Sequence, residues 1–311
     1  MKQKGLLAVV FLIISFAGHT SSVFCKAFSF QEAGTLPGVS EERIEVYFKE
    51  LMRLSPRTAG SETLQECRTF LKNTLKNFSL RVWEEPFTAE TPQGPVPMAN
   101  VLAEKQGRTD HIIYLGSHID TKHINGVIIP GANDSGSSTA ALLELARVLS
   151  KRKTDFTYRF AFFDGEESIE EDMNETDGLY GSKHHVRDLE SKKQVSKIRA
   201  MILLDMIGDK DLVVDRDHNS SFELFRLFAT CCRRLGYGGV AKGKSTLMYD
   251  DHVPFLQAGI PALDIIDFEY GPGNSFWHTE KDTAENVSIE SIFKIAKAVL
   301  CMLESLEKRT G

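Results

Sequence analysis

The chain has 311 residues, 42% of them hydrophobic and 26% charged, with a formal net charge of −6 and a pI near 5.9. This is the balance of a globular chain long enough to bury a sizeable core, which excludes a disordered or fibrous polypeptide. No Lys/Arg-rich block interleaves with aromatic residues, so nucleic acid is excluded as a partner.

The first residues read as a leader. Lys2 and Lys4 form a basic start, Leu6 to Phe16 is a short apolar run, and small polar residues come next. The run is too short for a comfortable membrane span, although a retained anchor is the alternative. Cleavage after Ala17, Ser22 or Ala27 fits, so residues 1–27 are assigned to a signal peptide and 28–311 to one domain, exported to the periplasm or secreted. No membrane association is expected after leader removal. Cys67, Cys231, Cys232 and Cys301 then remain. Their spacing matches no zinc motif, and one disulfide or burial as small apolar thiols are both open.

Helical apolar spacing marks Glu41 to Leu54 and Glu62 to Phe78, joined by the turn-rich "SPRTAGS". "SLRVWEEPF" reads as a strand, "TPQGPVP" as a loop and "NVLAE" as a strand. Strands and helices then alternate. "IIYLGS" precedes a helix from about Ser135 to Ser150. "YRFAFFD" precedes a helix near Tyr180 to Leu189. "AMILLDM" is followed by a short extended "DLVV" and a helix from Ser221 to Leu235. "PALDII" is a last strand, and Ile289 to Leu306 a closing helix. This order predicts an α/β fold, a single domain with a mostly parallel, mixed central sheet flanked by helices.

Three of the apolar strands end in ionisable groups: "IIYLGS" runs into His118 and Asp120, "RFAFFDG" into Glu166 and Glu167, and "MILLD" ends on Asp205. In open α/β sheets ligands bind beyond the carboxyl ends of the strands, so these residues converge on one crevice. Asp134 joins them from a glycine-rich turn. Four or five carboxylates in a crevice repel one another and are poorly solvated, and a multivalent cation resolves both problems. With imidazole present, zinc fits better than magnesium or calcium. Taken singly, a His-x-Asp pair is more often incidental, adjacent glutamates are usually solvated, and a terminal Asp often caps a helix. Their coincidence at three strand ends carries the reading. His118 and Asp120, two apart in an extended segment, can face the same way, so Asp120 can fix the imidazole tautomer. Of the adjacent glutamates, one can bind metal while the other stays free for proton transfer.

"SPRTAGS", "GSHIDT", "GANDSGSS", "FFDGEES", "LLDMIG", "DDHVPF" and "FWHTEKDT" occur in an order and spacing that resembles the zinc exopeptidase superfamily of bacterial aminopeptidases and glutaminyl cyclases. The resemblance implies metal ligands at His118, Asp134, Glu167, Asp205 and His278. It implies a catalytic acid or base at Glu166 and an orienting role for Asp120. Its aminopeptidases hold two zinc ions bridged by the Asp134 position and hydrolyse N-terminal residues. Its cyclases typically hold one, on the positions of Asp134, Glu167 and His278, and convert N-terminal glutamine of peptides or proteins to pyroglutamate with release of ammonia.

Several segments resemble the cyclases more closely. "TDGLYGSKH" is similar to the cyclase segment after the paired glutamates. "YDDHVPF" carries Asp250 where aminopeptidases commonly have Ser-Asp-His, and this position matches the cyclase acid networked with the catalytic glutamate. "FWHT" sets Trp277 beside His278, which implies a substrate-binding aromatic; a core or rim aromatic is the plainer alternative. Two positions depart from the animal cyclases: Asp172 lies near an expected tryptophan, and Asp264 replaces a histidine. The expected function is therefore a zinc-dependent glutaminyl-peptide cyclotransferase, with a zinc aminopeptidase as the alternative. An idle binding module on the same fold disagrees with retention of Glu166 and all five ligand positions.

Overall fold

The computed structural model describes residues 38–308 except 125 and 171, so the leader assigned from sequence lies outside the described residues. Helix α1 (Glu41–Arg53) starts where the Ser40 hydroxyl accepts the Arg43 N–H, and α2 (Glu62–Asn77) where Ser61 accepts that of Leu64. Each cap satisfies an amide that the first helical turn leaves without a partner.

The main sheet has six strands. In chain order they are β1 (Arg81–Thr91), β2 (Gly94–Lys105), β3 (Ile112–His118), β4 (Thr157–Phe163), β5 (Ile198–Asp205) and β8 (Ala262–Ile266). Two short strands, β6 (Arg216–Asp217) and β7 (Ser245–Thr246), lie between the last two in sequence and pair parallel in a sheet of their own. The spatial order of the main sheet is β1-β2-β4-β3-β5-β8. β4, β3, β5 and β8 run parallel, while β1 and β2 form an antiparallel hairpin joined antiparallel to β4. "TPQGPVP" is therefore strand rather than loop for most of its length, because β1 and β2 pair as far as Thr91 and Gly94. Pro95 and Pro97 are tolerated there because β4 pairs only with Val101 to Lys105, leaving the earlier part of β2 open on that side. "DLVV" pairs in no ladder; the nearby strand is β6.

The period of two along the buried strands builds two cores. Ile113, Leu115, Phe160, Phe162, Ile202, Leu204, Leu263 and Ile265 face one side. There they meet α1, α2, α3 (Ser138–Ser150), α5 (Phe222–Arg234) and α7 (Ile289–Glu307). Ile112, Tyr114, Ala161, Phe163, Met201, Leu203 and Ala262 face the other, against α4 (Tyr180–Ser191) and α6 (His252–Gln257). Burying each large side chain contributes about 1.5–3 kcal/mol. Alternate faces are both apolar, which is why these strands read as continuous hydrophobic runs. α3 is buried almost throughout, and its one charged pair, Glu144 with Arg147 at 2.7 Å, is neutralised within the helix.

The cysteine alternatives resolve into both outcomes. Cys231 on α5 and Cys301 on α7 form a disulfide with Cα atoms 5.9 Å apart, while Cys67 and Cys232 are buried free thiols. The bridge spans 70 residues of sequence and constrains the unfolded chain accordingly. Replacing Cys301 with Ala should cost about 2–5 kcal/mol in stability. Denaturant unfolding should show the loss, a reductant should reproduce it in the unsubstituted protein, and the variant should be indifferent to reductant.

Candidate metal centre and active site

Every strand-end residue singled out in the sequence sits at the carboxyl edge of the parallel strands. β3 ends on His118, and β4 leads through Asp164 and Gly165 to Glu166 and Glu167. β5 ends on Asp205. His118, Asp120, Asp134, Glu166, Glu167, Asp205 and Asp250 are all buried. His118 Nε2 lies 3.0 Å from Asp134 Oδ1 and 3.1 Å from Asp205 Oδ1. His278 Nε2 lies 3.5 Å from Asp134 Oδ2 and 3.3 Å from Glu167 Oε1. Two groups thus form, His118–Asp134–Asp205 and Asp134–Glu167–His278, each with ligand atoms within 4.8 Å of one another. Asp134 belongs to both, one oxygen towards each.

The backbone around these side chains is held by groups with no ligand role of their own. Asp134 sits in a single wide turn in which Gly136 N–H donates to Gly131 O at 3.1 Å. Gly131 has φ +67°, and a Cβ there would run into Thr121 and the Asp134 carbonyl, so only glycine fits. The Asp282 carboxylate accepts Asn133 N–H at 2.7 Å and Asp134 N–H at 3.2 Å. Arg57, 1% exposed, donates to Ile119 O at 2.8 Å and to Gly131 O at 3.0 Å, tying the exit of β3 to the Asp134 turn. The arginine of "SPRTAGS" is therefore part of the site's frame rather than of a linking turn.

Asp120 has a more specific part than orienting His118. Its two oxygens accept the N–H groups of Glu166 and Glu167, each at 3.1 Å, whereas His118 Nδ1 is 3.6 Å from Oδ1. The shorter contacts fix the backbone of the adjacent glutamates, so their side chains diverge: Glu167 reaches His278, and Glu166 stays outside both ligand groups. Lys122, which sequence reasoning missed, is 2% exposed and donates to Ser168 O at 2.9 Å and Glu170 O at 2.8 Å. Its ammonium lies 3.9 Å from Glu167 Oε2. One Glu167 oxygen thus faces a cation of the protein, and the other faces the ligand group. Lysine in a turn carries no sequence signal for such a task; only its placement does.

His278 has φ +53° and Met206, next to Asp205, φ +46°. Left-handed non-glycine residues cost of order 1–3 kcal/mol and mark places where the surroundings dictate the backbone. Trp277 stacks on the His278 ring with centroids 4.0 Å apart and meets Phe268 at 4.9 Å. Asp250 lines the floor of the cavity. Its carboxylate does not cap α6: Oδ1 accepts the N–H of Asp251, and the Val253 N–H goes to the Asp250 carbonyl. Behind it lie Asp251, His252 and Asp264, all fully buried. The His252 Nε2 is 3.0 Å from Asp217 Oδ2. No hydrogen-bond partner reaches either carboxylate oxygen of Asp264 among the described residues.

Electrostatics mark the site as short of positive charge. Burial opposes protonation of His278, yet Glu167 and Asp134 outweigh it and push the imidazole up to about 10. His118 behaves likewise, with burial overcome by Asp120, Asp134 and Asp205. Burial, opposed by His118 and reinforced by Glu167, Asp250 and Asp251, holds the Glu166 carboxyl well above its ordinary range. Burial and Asp205 bring Asp250 to about 7. Carboxylate and imidazole donors gathered around one bridging aspartate, with the imidazoles driven to carry protons, are the donor set of a divalent metal, whose charge would displace those protons. The cavity they line has a volume of about 280 Å³.

A mouse glutaminyl-peptide cyclotransferase-like protein is 29% identical over 276 residues, covering 79% of this chain and 71% of its own. An Acidobacteriales bacterium glutaminyl cyclase structure superimposes with a TM-score of 0.84 at 31% identity, over 91% of this chain and 100% of that one. A Zn-dependent exopeptidase from Parabacteroides distasonis shares the fold, with a TM-score of 0.79 at 22% identity over 88% of this chain and all of that one. The model of peptidase family M28 matches residues 100–303, and the chain belongs to that family.

Proposed function

We propose that this protein is a zinc-dependent glutaminyl-peptide cyclotransferase that converts N-terminal glutamine of peptides and proteins to pyroglutamate. The observation that carries the reading is the placement of Asp250. It is a buried acid on the cavity floor with Glu166 and Asp205, and it is not spent on capping α6. An acid held there suits a reaction that must protonate a departing nitrogen with no water nucleophile. The likeness to glutaminyl cyclases supports the same choice.

Asp134, Glu167 and His278 would hold one zinc ion. When bound, it would polarise the side-chain amide carbonyl of the substrate. Glu166, outside the ligand groups and fixed through its backbone by Asp120, takes a proton from the attacking α-amine and delivers it to the leaving ammonia. The new bond joins the α-nitrogen to the side-chain carbonyl carbon, and the amide C–N bond breaks. Trp277, stacked on His278, walls the substrate side. The group His118–Asp134–Asp205 favours a second reading, a two-zinc aminopeptidase in which Asp134 would serve both ligand groups. Export fits the Cys231–Cys301 bridge, which persists in oxidising compartments. Among the described residues no helix is long and apolar enough to cross a membrane.

Product mass separates the two activities. A Gln-initiated peptide should lose ammonia and keep all its residues; loss of the whole first residue would establish the aminopeptidase instead. A chelator should abolish turnover, and His278→Ala should lose both turnover and tightly bound zinc, because the ligand set drops from three to two. Full activity in a metal-free sample would end the zinc assignment.

Glu166→Gln removes the titrating group but keeps its size. Turnover should fall by roughly two to four orders of magnitude with zinc content unchanged. Loss of zinc as well would make Glu166 a ligand. Asp250→Asn should depress cyclisation strongly while the protein stays folded and zinc-bound. If the same sample loses only about 1 kcal/mol of stability and turns over normally, Asp250 is structural and the aminopeptidase reading gains.

A further inference from the structure

We propose that Asp250, His252 and Asp264 form a further metal site behind the cavity floor, one that takes a divalent transition-metal ion such as zinc and, when filled, stops cyclisation. The site stands on its own geometry; its effect on turnover rests on the cyclase function proposed above.

The donors converge from two elements. Asp250 and His252 lie at the start of α6, and Asp264 in the middle of β8. One ligand atom from each lies within 4.8 Å of the other two. All three side chains are buried, His252 and Asp264 completely. Among the described residues, Asp250 Oδ2, His252 Nδ1 and both oxygens of Asp264 have no hydrogen-bond partner. Buried polar atoms are nearly always satisfied, and here the unsatisfied ones fall together in one cluster.

The imidazole is set to face a cation. His252 Nε2 lies 3.0 Å from Asp217 Oδ2. The Asp217 carboxylate also accepts the N–H groups of Asn219, Ser220 and Met248, at 3.1, 2.7 and 2.9 Å. An acceptor fixed in this way calls the ring proton to Nε2, which leaves the Nδ1 lone pair free and makes it a better ligand. Nδ1 points towards Asp264 Oδ2 at 3.9 Å, too far for a hydrogen bond. A cation between them would turn two facing lone pairs into coordination. Two carboxylates and one imidazole are also the donors of Asp134–Glu167–His278, so an ion that suits that group suits this one.

Distances rank the two. Tetrahedral ligands about 2.0–2.2 Å from zinc stand roughly 3.3–3.6 Å apart. His278 Nε2 is already 3.5 and 3.3 Å from its carboxylate partners, whereas His252 Nδ1 is 3.9 Å from Asp264. The group behind the floor must therefore contract around an ion, with Asp264 on a fully buried strand, and it binds more weakly. It fills only when zinc exceeds what Asp134, Glu167 and His278 take up. Entry is from the cavity, which Asp250 lines and His252 and Asp264 do not. A ligating carboxylate is deprotonated, so an ion on Asp250 removes the proton that the departing nitrogen needs.

The test is equilibrium dialysis of the intact protein against increasing zinc, with ammonia release from a Gln-initiated peptide followed in the same samples. A first ion should bind with full turnover. A further ion should bind at higher zinc as turnover falls by about tenfold or more. Asp264→Asn and His252→Gln should each lose the further ion and escape the inhibition. Thermal midpoints show that each variant is folded, and excess zinc should raise the midpoint of the intact protein but not theirs. A further ion retained by both folded variants, or inhibition that persists in them, would overturn the site. If that ion is lost from His118→Ala instead, it belongs to the group of His118, and the proposal fails too. Ammonia from no Gln-initiated peptide would overturn the cyclase reading and the inhibition with it, while dialysis of Asp264→Asn still decides whether the metal site stands.

Discussion

The structure turns on one electrostatic constraint: several carboxylates are buried together at one edge of the sheet with too little positive charge to balance them. Among the described residues lining the cavity, His278 is the only basic side chain beside Asp134, Glu166, Glu167, Asp205 and Asp250. Ionised carboxylates removed from water are costly unless paired, and like charges at this spacing cannot all ionise. In the protein alone the imidazoles of His118 and His278 answer by holding protons. A divalent cation held by these groups would supply the missing positive charge more completely than two protons. Arg57, Lys122, Asp120 and Asp282 make sense as a frame that keeps repelling groups in place. Each acts mainly on backbone, and the backbone is what would otherwise relax to separate the charges.

The sheet order explains why this edge and no other. β3 lies between β4 and β5, and the chain leaves β3 through α3 on one face, then leaves β4 through α4 on the opposite face. The crossovers diverge around the carboxyl end of β3, which is where an α/β sheet opens a crevice. His118 comes from the central strand, Glu167 and Asp205 from its two neighbours, and Asp134 from the turn into α3. The antiparallel β1–β2 hairpin extends the sheet beyond β4 and, among the described residues, supplies none to the cavity.

Much of this was legible in the sequence because the signals were local. A strand buried on both faces is an unbroken apolar run, and an ionisable residue ending such a run stands out, as at His118 and Asp205. The helices announced themselves by apolar spacing, and α1, α2 and α7 begin where that spacing begins. What escaped was non-local. "TPQGPVP" has the composition of a loop, and its strand character comes only from a partner. Nothing in "IDTK" says that Lys122 reaches back under the glutamates, or that both Asp120 oxygens go to the amides of Glu166 and Glu167 rather than chiefly to His118. The disulfide could not be chosen from four thiols until α5 and α7 were packed side by side. Arg57 and Asp282 sat inside recognisable motifs, but their work is done through hydrogen bonds to backbone far away in sequence, at Ile119 and Gly131 for the arginine and at Asn133 and Asp134 for the aspartate.

The same frame bears on how one scaffold can serve two reactions. Hydrolysis at two ions would call on both groups that share Asp134, whose two oxygens lie 3.0 Å from His118 Nε2 and 3.5 Å from His278 Nε2. The proposed cyclisation would call on the second group alone, provided that the first finds another way to remain charge-balanced. His118 can supply it by keeping a proton between Asp134 and Asp205, which lie 3.0 and 3.1 Å from the same nitrogen. The imidazolium then occupies the place of a cation beside Asp205, whose carboxyl burial raises above its ordinary range, as burial and Asp205 raise that of Asp250. Burial and the Asp205 charge make ionisation of Asp250 costly, and Asp250 in turn raises the buried acids behind it, Asp251 and Asp264. In this arrangement burial and the neighbouring Asp205 are what favour a proton on Asp250, beside Glu166. Asp250→Ser would leave both ligand groups that share Asp134 intact but remove from the cavity the buried acid on which the proposed cyclisation depends.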